Sequence, residues 1–131
     1  MKNSVLFISP SGEDAKTLSG MLGSVSISLR RAGDLGEALR KLETECFGVV
    51  LTEALLPDGN WTDVLQYLKR SGKGTVVVVT NRFADGQFWS DILDLGAYDL
   101  LPQPFCSGEV QRILANALDL PAPLRRAAPA A

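Results

Sequence analysis

Thr75-Val76-Val77-Val78-Val79-Thr80 is β-branched at every position. Two heavy atoms on each Cβ stiffen the side chain and favour the pleated backbone, so the run predicts a strand. It is apolar on both alternating faces, which places it inside a sheet covered on both sides. Upstream, Phe47 to Thr52 repeats the pattern and runs into Glu53. Further back, Val5-Leu6-Phe7-Ile8 is a third continuous apolar run. Ser24-Val25-Ser26-Ile27-Ser28-Leu29 differs, because it alternates strictly between polar and apolar. One wet face and one buried face predict an edge strand there. Downstream, Tyr98 to Leu101 is short and extended.

Between these runs the apolar period changes to that of a helix. Ser11-Gly12-Glu13-Asp14 reads as a capped helix start with Asp14 at the capping-box position, and Leu18, Met21 and Leu22 form its inward stripe. Asp34 opens a second helix, in which Leu35, Ala38, Leu39 and Leu42 share one face. Pro57-Asp58-Gly59-Asn60 is a turn. Trp61, Val64, Leu65 and Leu68 mark a third helix that closes near Gly72. Phe88, Trp89, Ile92 and Leu93 mark a fourth, stopped by Gly96, and Val110, Ile113, Leu114, Ala117 and Leu118 mark a fifth. Strands alternating with helices imply parallel pairing through right-handed crossovers. With the alternating strand at an edge, the first strand is internal and the order 2-1-3-4-5 follows. The predicted fold is a flavodoxin-like doubly wound (βα)5 three-layer α/β sandwich. In such sheets the site lies at the carboxyl ends of the strands, which selects Ser9, Pro10, Glu53, Thr80 and Pro102-Gln103-Pro104.

Composition narrows the chemistry. The chain has 131 residues, 46% hydrophobic and 21% charged, with a net charge of −2, which suits one globular domain. The predicted domain covers 1–119, and 120–131 is a Pro/Ala-rich tail or linker stub. Histidine is absent, so imidazole acid–base chemistry and histidine-ligated zinc are excluded. The basic pairs Arg30-Arg31 and Arg125-Arg126 are too short for a phosphate-tracking stripe, so neither a nucleic-acid nor a membrane surface is expected. Cys46 and Cys106 read as reduced core thiols. The apolar run after Met1 is too short for a signal peptide or a membrane span, and a cytoplasmic location is expected. Asn60-Trp61-Thr62 matches a glycosylation sequon that such a location makes irrelevant. Asp58 and Asp99 read as turn residues.

From residue 4 to 119 the chain resembles the receiver domain of two-component response regulators. The resemblance rests on Ala32-Gly33-Asp34-Leu35-Gly36-Glu37-Ala38-Leu39, Val49-Val50-Leu51-Thr52-Glu53-Ala54-Leu55-Leu56-Pro57-Asp58-Gly59, Val77-Val78-Val79-Thr80-Asn81, Leu95-Gly96-Ala97-Tyr98-Asp99 and Leu101-Pro102-Gln103-Pro104-Phe105, in that order and spacing. It implies phosphoryl transfer to an aspartate after the third strand, with Mg²⁺ held there and by an acidic pair after the first. A hydroxyl after the fourth strand and a lysine after the fifth complete the family's site. Here the acidic pair falls on Ser9 and Pro10, the phosphoacceptor on Glu53 and the lysine on Gln103; only Thr80 keeps its type. The switch aromatic falls on Leu100, and the resemblance implies a cis peptide before Pro104.

With one carboxylate where the family has about three, Mg²⁺ binding is expected to be weak or absent, and phosphoryl transfer with it. The expected role is a phosphorylation-independent signalling module and not an enzyme. Gln103 and Thr80 are expected to donate to Glu53. Glu53 is then either a fixed anion standing for the phosphorylated state or part of a drifted polar patch. Two alternatives remain: a receiver still phosphorylated at Glu53 with Mg²⁺, and an FMN-binding flavodoxin-like carrier suggested by Ser9-Pro10-Ser11-Gly12. Against the flavin stand Glu13 and Asp14, which repel a phosphate, and Trp61, which fits a core stripe. Phe88, Trp89 and Tyr98 are the expected partner surface. The fourth helix, fifth strand and fifth helix would meet a histidine kinase, an output domain, another regulator or a second copy.

Overall fold

A computed structural model describes residues 3–82 and 85–121. Twelve elements follow in chain order: β1 (Ser4–Ile8), α1 (Gly12–Leu22), β2 (Ser28–Ala32), α2 (Leu35–Thr44), β3 (Val49–Glu53), β4 (Leu55–Leu56), β5 (Gly59–Asn60), α3 (Trp61–Ser71), β6 (Val76–Asn81), α4 (Gly86–Leu95), β7 (Asp99–Pro102) and α5 (Ser107–Leu118). β2, β1, β3, β6 and β7 form one sheet in that order, every neighbouring pair parallel. The five long strands thus run second, first, third, fourth, fifth, as the apolar runs predict. β4 and β5 form a separate two-stranded antiparallel ribbon between β3 and α3.

Alternation along each strand builds two cores. Leu6, Ile8, Val50, Val77 and Val79 meet Leu42, Trp61, Val64, Leu68 and Ile92 from α2, α3 and α4. Val5, Phe7, Val49, Leu51 and Val78 meet Leu18, Leu22, Ile113 and Leu114 from α1 and α5. A strand buried on both faces needs no polar alternation, which is why the three central strands read as continuous apolar runs.

The helix starts lie where the cap residues place them. Ser11, Asp34 and Asp85 each accept the backbone N–H of the third residue on. Asn60 and Asp63 close a reciprocal capping box at α3. Gly72 ends α3 at φ 68°, a conformation open to glycine without strain.

Two expectations need correction. The edge strand is Ser28–Ala32, not Ser24–Leu29. Val25 and Ile27 do pack half-buried against the α1–α5 core, but from the turn that leads into β2. The strand itself runs on through Arg30 and Arg31, because pairing with β1 sets Ser4 opposite Ser28 and Ile8 opposite Ala32. Charged side chains suit a sheet edge, so the basic pair does not end the strand. Cys46 and Cys106 are reduced but exposed, not core thiols. One follows α2 and the other caps α5 without a side-chain hydrogen bond, and both loops face solvent. Of the expected tail, Leu120 packs half-buried against the α1–α5 core; residues 122–131 lie outside the described residues.

Candidate functional site

The parallel sheet delivers Ser9, Glu53, Thr80 and Gln103 to one end. Glu53 closes β3 beside Thr80 of β6, and Thr80 in turn lies beside Leu101 of β7, two residues before Gln103. Ser9 follows β1 directly and is fully buried. The cleft lies between β1 and β3, whose outgoing connections run to opposite sides of the sheet, from β1 to β2 and from β3 to β6. The Gln103–Pro104 peptide is cis.

The hydrogen bonds form one connected set. Ser9 Oγ donates to Glu53 Oε2 at 3.1 Å and accepts the Ser11 N–H at 3.1 Å. Gln103 Nε2 donates to Thr80 Oγ1 at 3.1 Å and lies 3.5 Å from each Glu53 oxygen. Thr80 Oγ1 donates to Leu101 O at 2.6 Å. The expectation that Thr80 donates to Glu53 is therefore corrected: its one proton is held by the backbone of β7, and Ser9 serves Glu53 instead. Burial pushes the Glu53 carboxyl above the usual glutamate range, and Asp14 adds to the rise, while Ser9, Gln103 and Arg82 pull the other way.

Three charged residues of this region were not among the expected site residues. Asp14, one turn into α1, lies 3.7 Å from Arg82 Nη2, and its Oδ2 is buried without a hydrogen bond. Arg31 reaches up from the edge strand and donates to Ser9 O at 3.1 Å and Pro10 O at 2.9 Å. Arg82, two residues beyond Thr80, was detectable as a charge at a strand end. Asp58 does sit in the expected turn, but it also accepts the Leu35 and Gly36 N–H groups at 2.8 and 3.0 Å, a second cap for α2. Those bonds hold its carboxyl below the usual range.

Mg²⁺ asks for carboxylates and carbonyls in an open octahedral array. Here Glu53 Oε2 already accepts from Ser9, and the other nearby acid, Asp14, faces a guanidinium. No group of three or more acids, thiols or imidazoles able to hold a metal occurs among the described residues. The residues present do not fit the magnesium site that the family implies. A flavin is poorly served too, because Trp61 is 6% exposed inside the core and supplies no aromatic to the mouth of the cleft.

The other candidates are dispersed. Leu100 is buried in the α2–α4 core. Phe88 packs half-buried against that same core, while Tyr98 packs against the opposite one. Trp89 stands out from α4 at 49% exposure. Leu55 of the β4–β5 ribbon, 79% exposed, was not anticipated.

No family model matches the chain. Response regulator protein PilR of Pseudomonas aeruginosa is 32% identical to it over 108 residues, 82% of this chain. The chain is a response-regulator receiver domain. It spans 24% of the length of that relative. Two solved structures share the receiver fold. The beryllofluoride-activated NtrC4 receiver domain dimer superposes with a TM-score of 0.81 at 24% identity, covering 91% of this chain and 98% of that one. A CheY-like response regulator receiver domain protein from Methanospirillum hungatei gives 0.78 at 20% identity, over 89% and 94%. No helix among the described residues of the receiver domain is long and apolar enough to cross a membrane.

Proposed function

We propose that this receiver domain signals through protein contacts without being phosphorylated at its cleft. The observation that carries the reading is the Ser9–Glu53 bond at 3.1 Å. A hydroxyl occupies the place of a metal-holding acid, and its proton engages the carboxylate that would otherwise attack. Phosphoryl transfer needs cationic groups around the charge that builds on the phosphoryl oxygens. Gln103 offers a neutral amide where the family has a lysine, so that position supplies no cation, and Mg²⁺ binding is weak or absent because Ser9 and Pro10 bring no carboxylate. The signalling unit is residues 1–119, and its partner is a histidine kinase, an output domain, another regulator or a second copy. Glu53 remains a half-buried anion held by Ser9 and Gln103, which favours its use as a fixed charge in place of a conditional one.

The test is incubation with acetyl phosphate and Mg²⁺, followed by intact-mass measurement. The expected spectrum is unchanged. A gain of about 80 Da that vanishes in Glu53→Ala overturns the reading and restores an active receiver. For the fixed charge, Glu53→Gln is expected to weaken partner binding; equal affinity rejects that role.

A further inference from the structure

The sheet sets β3 between β1 and β6. A contact from the end of β6 to the helix that follows β1 therefore passes across the end of β3, where Glu53 sits. Arg82 makes that contact with Asp14, in the first turn of α1, at 3.7 Å. Both charges act on Glu53, Asp14 pushing its carboxyl up and Arg82 pulling it down. Asp14 Oδ2 is buried and accepts no hydrogen bond, so the guanidinium is what balances it. A buried charge without a partner is costly, which makes this oxygen a strong claimant on any cation near it. From the other side of β1, Arg31 donates to Ser9 O at 3.1 Å and to Pro10 O at 2.9 Å, so the carbonyls of the loop before α1 are engaged by an arginine as well.

We infer that Arg82 is the resident cation of the cleft, serving Asp14 and Glu53 together and keeping divalent ions out. This rests on the reading that the cleft is not a phosphorylation site. It adds a second cause to the misfit with magnesium: acids are missing, and those that remain are already neutralised from within the chain. A guanidinium keeps its proton in a protein, so the balancing charge is permanent. The Arg82 side chain is 63% exposed, and such an ion pair adds little stability. Its effect falls on ion occupancy instead. Without Arg82, two carboxylates share one end of the sheet with no cation between them, and like charges at short range favour uptake of a positive ion.

The probe is Mn²⁺, titrated into the full isotope-labelled chain without phosphodonor, so that its failure leaves the acetyl phosphate test untouched. Paramagnetic broadening of the Asp14, Glu53 and Ala54 amide signals reads ion occupancy at the cleft. The expected result is an apparent affinity that rises about tenfold in Arg82→Gln, stays at the wild-type value in Arg82→Lys, and returns to it in Arg82→Gln/Asp14→Asn. Arg70→Gln removes the same charge at an exposed position of α3 and is expected to change nothing at the cleft. Equal affinity in wild type and Arg82→Gln overturns the inference, because the arginine then excludes nothing. An equal rise in Arg70→Gln overturns it in favour of net charge alone. An equal rise in Arg82→Lys removes the role of the positive charge, and a rise that persists in Arg82→Gln/Asp14→Asn removes that of Asp14; either result overturns it too.

Discussion

Replacing Ser9 with alanine tests whether the cleft is held together as the hydrogen bonds describe. The side chain is fully buried, so no volume is gained and little is lost. What disappears is a donor to Glu53 Oε2 and an acceptor for the Ser11 N–H, both at 3.1 Å. A hydrogen bond to a charged group contributes about 1.5–3 kcal/mol, and because Glu53 is half-buried, water recovers part of the loss, which leaves about 2 kcal/mol at neutral pH. For a domain of this size that is a fall in Tm of about 8 °C. The loss depends on pH, with a definite sign. Burial raises the Glu53 carboxyl above its ordinary value, so the fold keeps that proton to higher pH than the unfolded chain does. Stability therefore declines as pH climbs from the ordinary glutamate value through the folded one. Ser9 opposes the rise, so Ser9→Ala moves the folded value further up and steepens the decline. The difference between wild type and Ser9→Ala is expected to be about 2 kcal/mol near pH 8 and to shrink to about 1 kcal/mol near pH 4, where the bond is between neutral groups. Differential scanning calorimetry at the two pH values measures it. An equal loss at both, or a fall under about 2 °C near pH 8, refutes the reasoning.

Asp58→Asn should destabilise the domain at neutral pH and leave it unchanged in acid. The depressed carboxyl contributes above the unfolded aspartate value, and that contribution is lost as pH falls through the folded one; thermal melts across the acid range read it. Leu114→Ala opens a cavity in the fully buried α1–α5 core and should cost about 3 kcal/mol, seen in urea denaturation as a lower midpoint at constant slope. Leu55→Ser, at a side chain 79% exposed, should stay within about 0.5 kcal/mol of wild type in the same assay. Both cysteines should react with a chromogenic disulfide reagent in the native protein without denaturant, and slow reaction of either contradicts its exposure.

The fold was legible because its signals are local and agree with one another. Asp34, Asn60, Gly72 and Gly96 punctuate helices whose apolar stripes face the sheet, and uniformly apolar strands leave one arrangement that covers both faces. β2 was misplaced because its position is set by register with β1, not by its own pattern. The serines of 24–28 mimic an alternating strand while the true one carries Arg30 and Arg31. At the cleft, residues at strand ends were found, since the topology places them. Asp14 and Arg31 were not, because the first turn of α1 and the edge strand lie outside the strand ends that the topology marks. Thr80 was found, but its partner was not, because a hydroxyl rotates to whichever acceptor is near. The cysteines were missed because the habit of thiols to be buried says nothing about two loop positions.

The Asp58 cap joins residues that the chain makes at different times. α2 begins at Leu35, yet the carboxylate on its first two N–H groups arrives 23 and 22 residues later. α2 also has its own local cap in Asp34, whereas this second cap comes from beyond β3. Between the two ends of that cap the chain runs through β3, which pairs with β1, and the turn at Pro57. One carboxylate thus fastens the start of α2 to the loop that follows Glu53, so a shift of either is felt by the other.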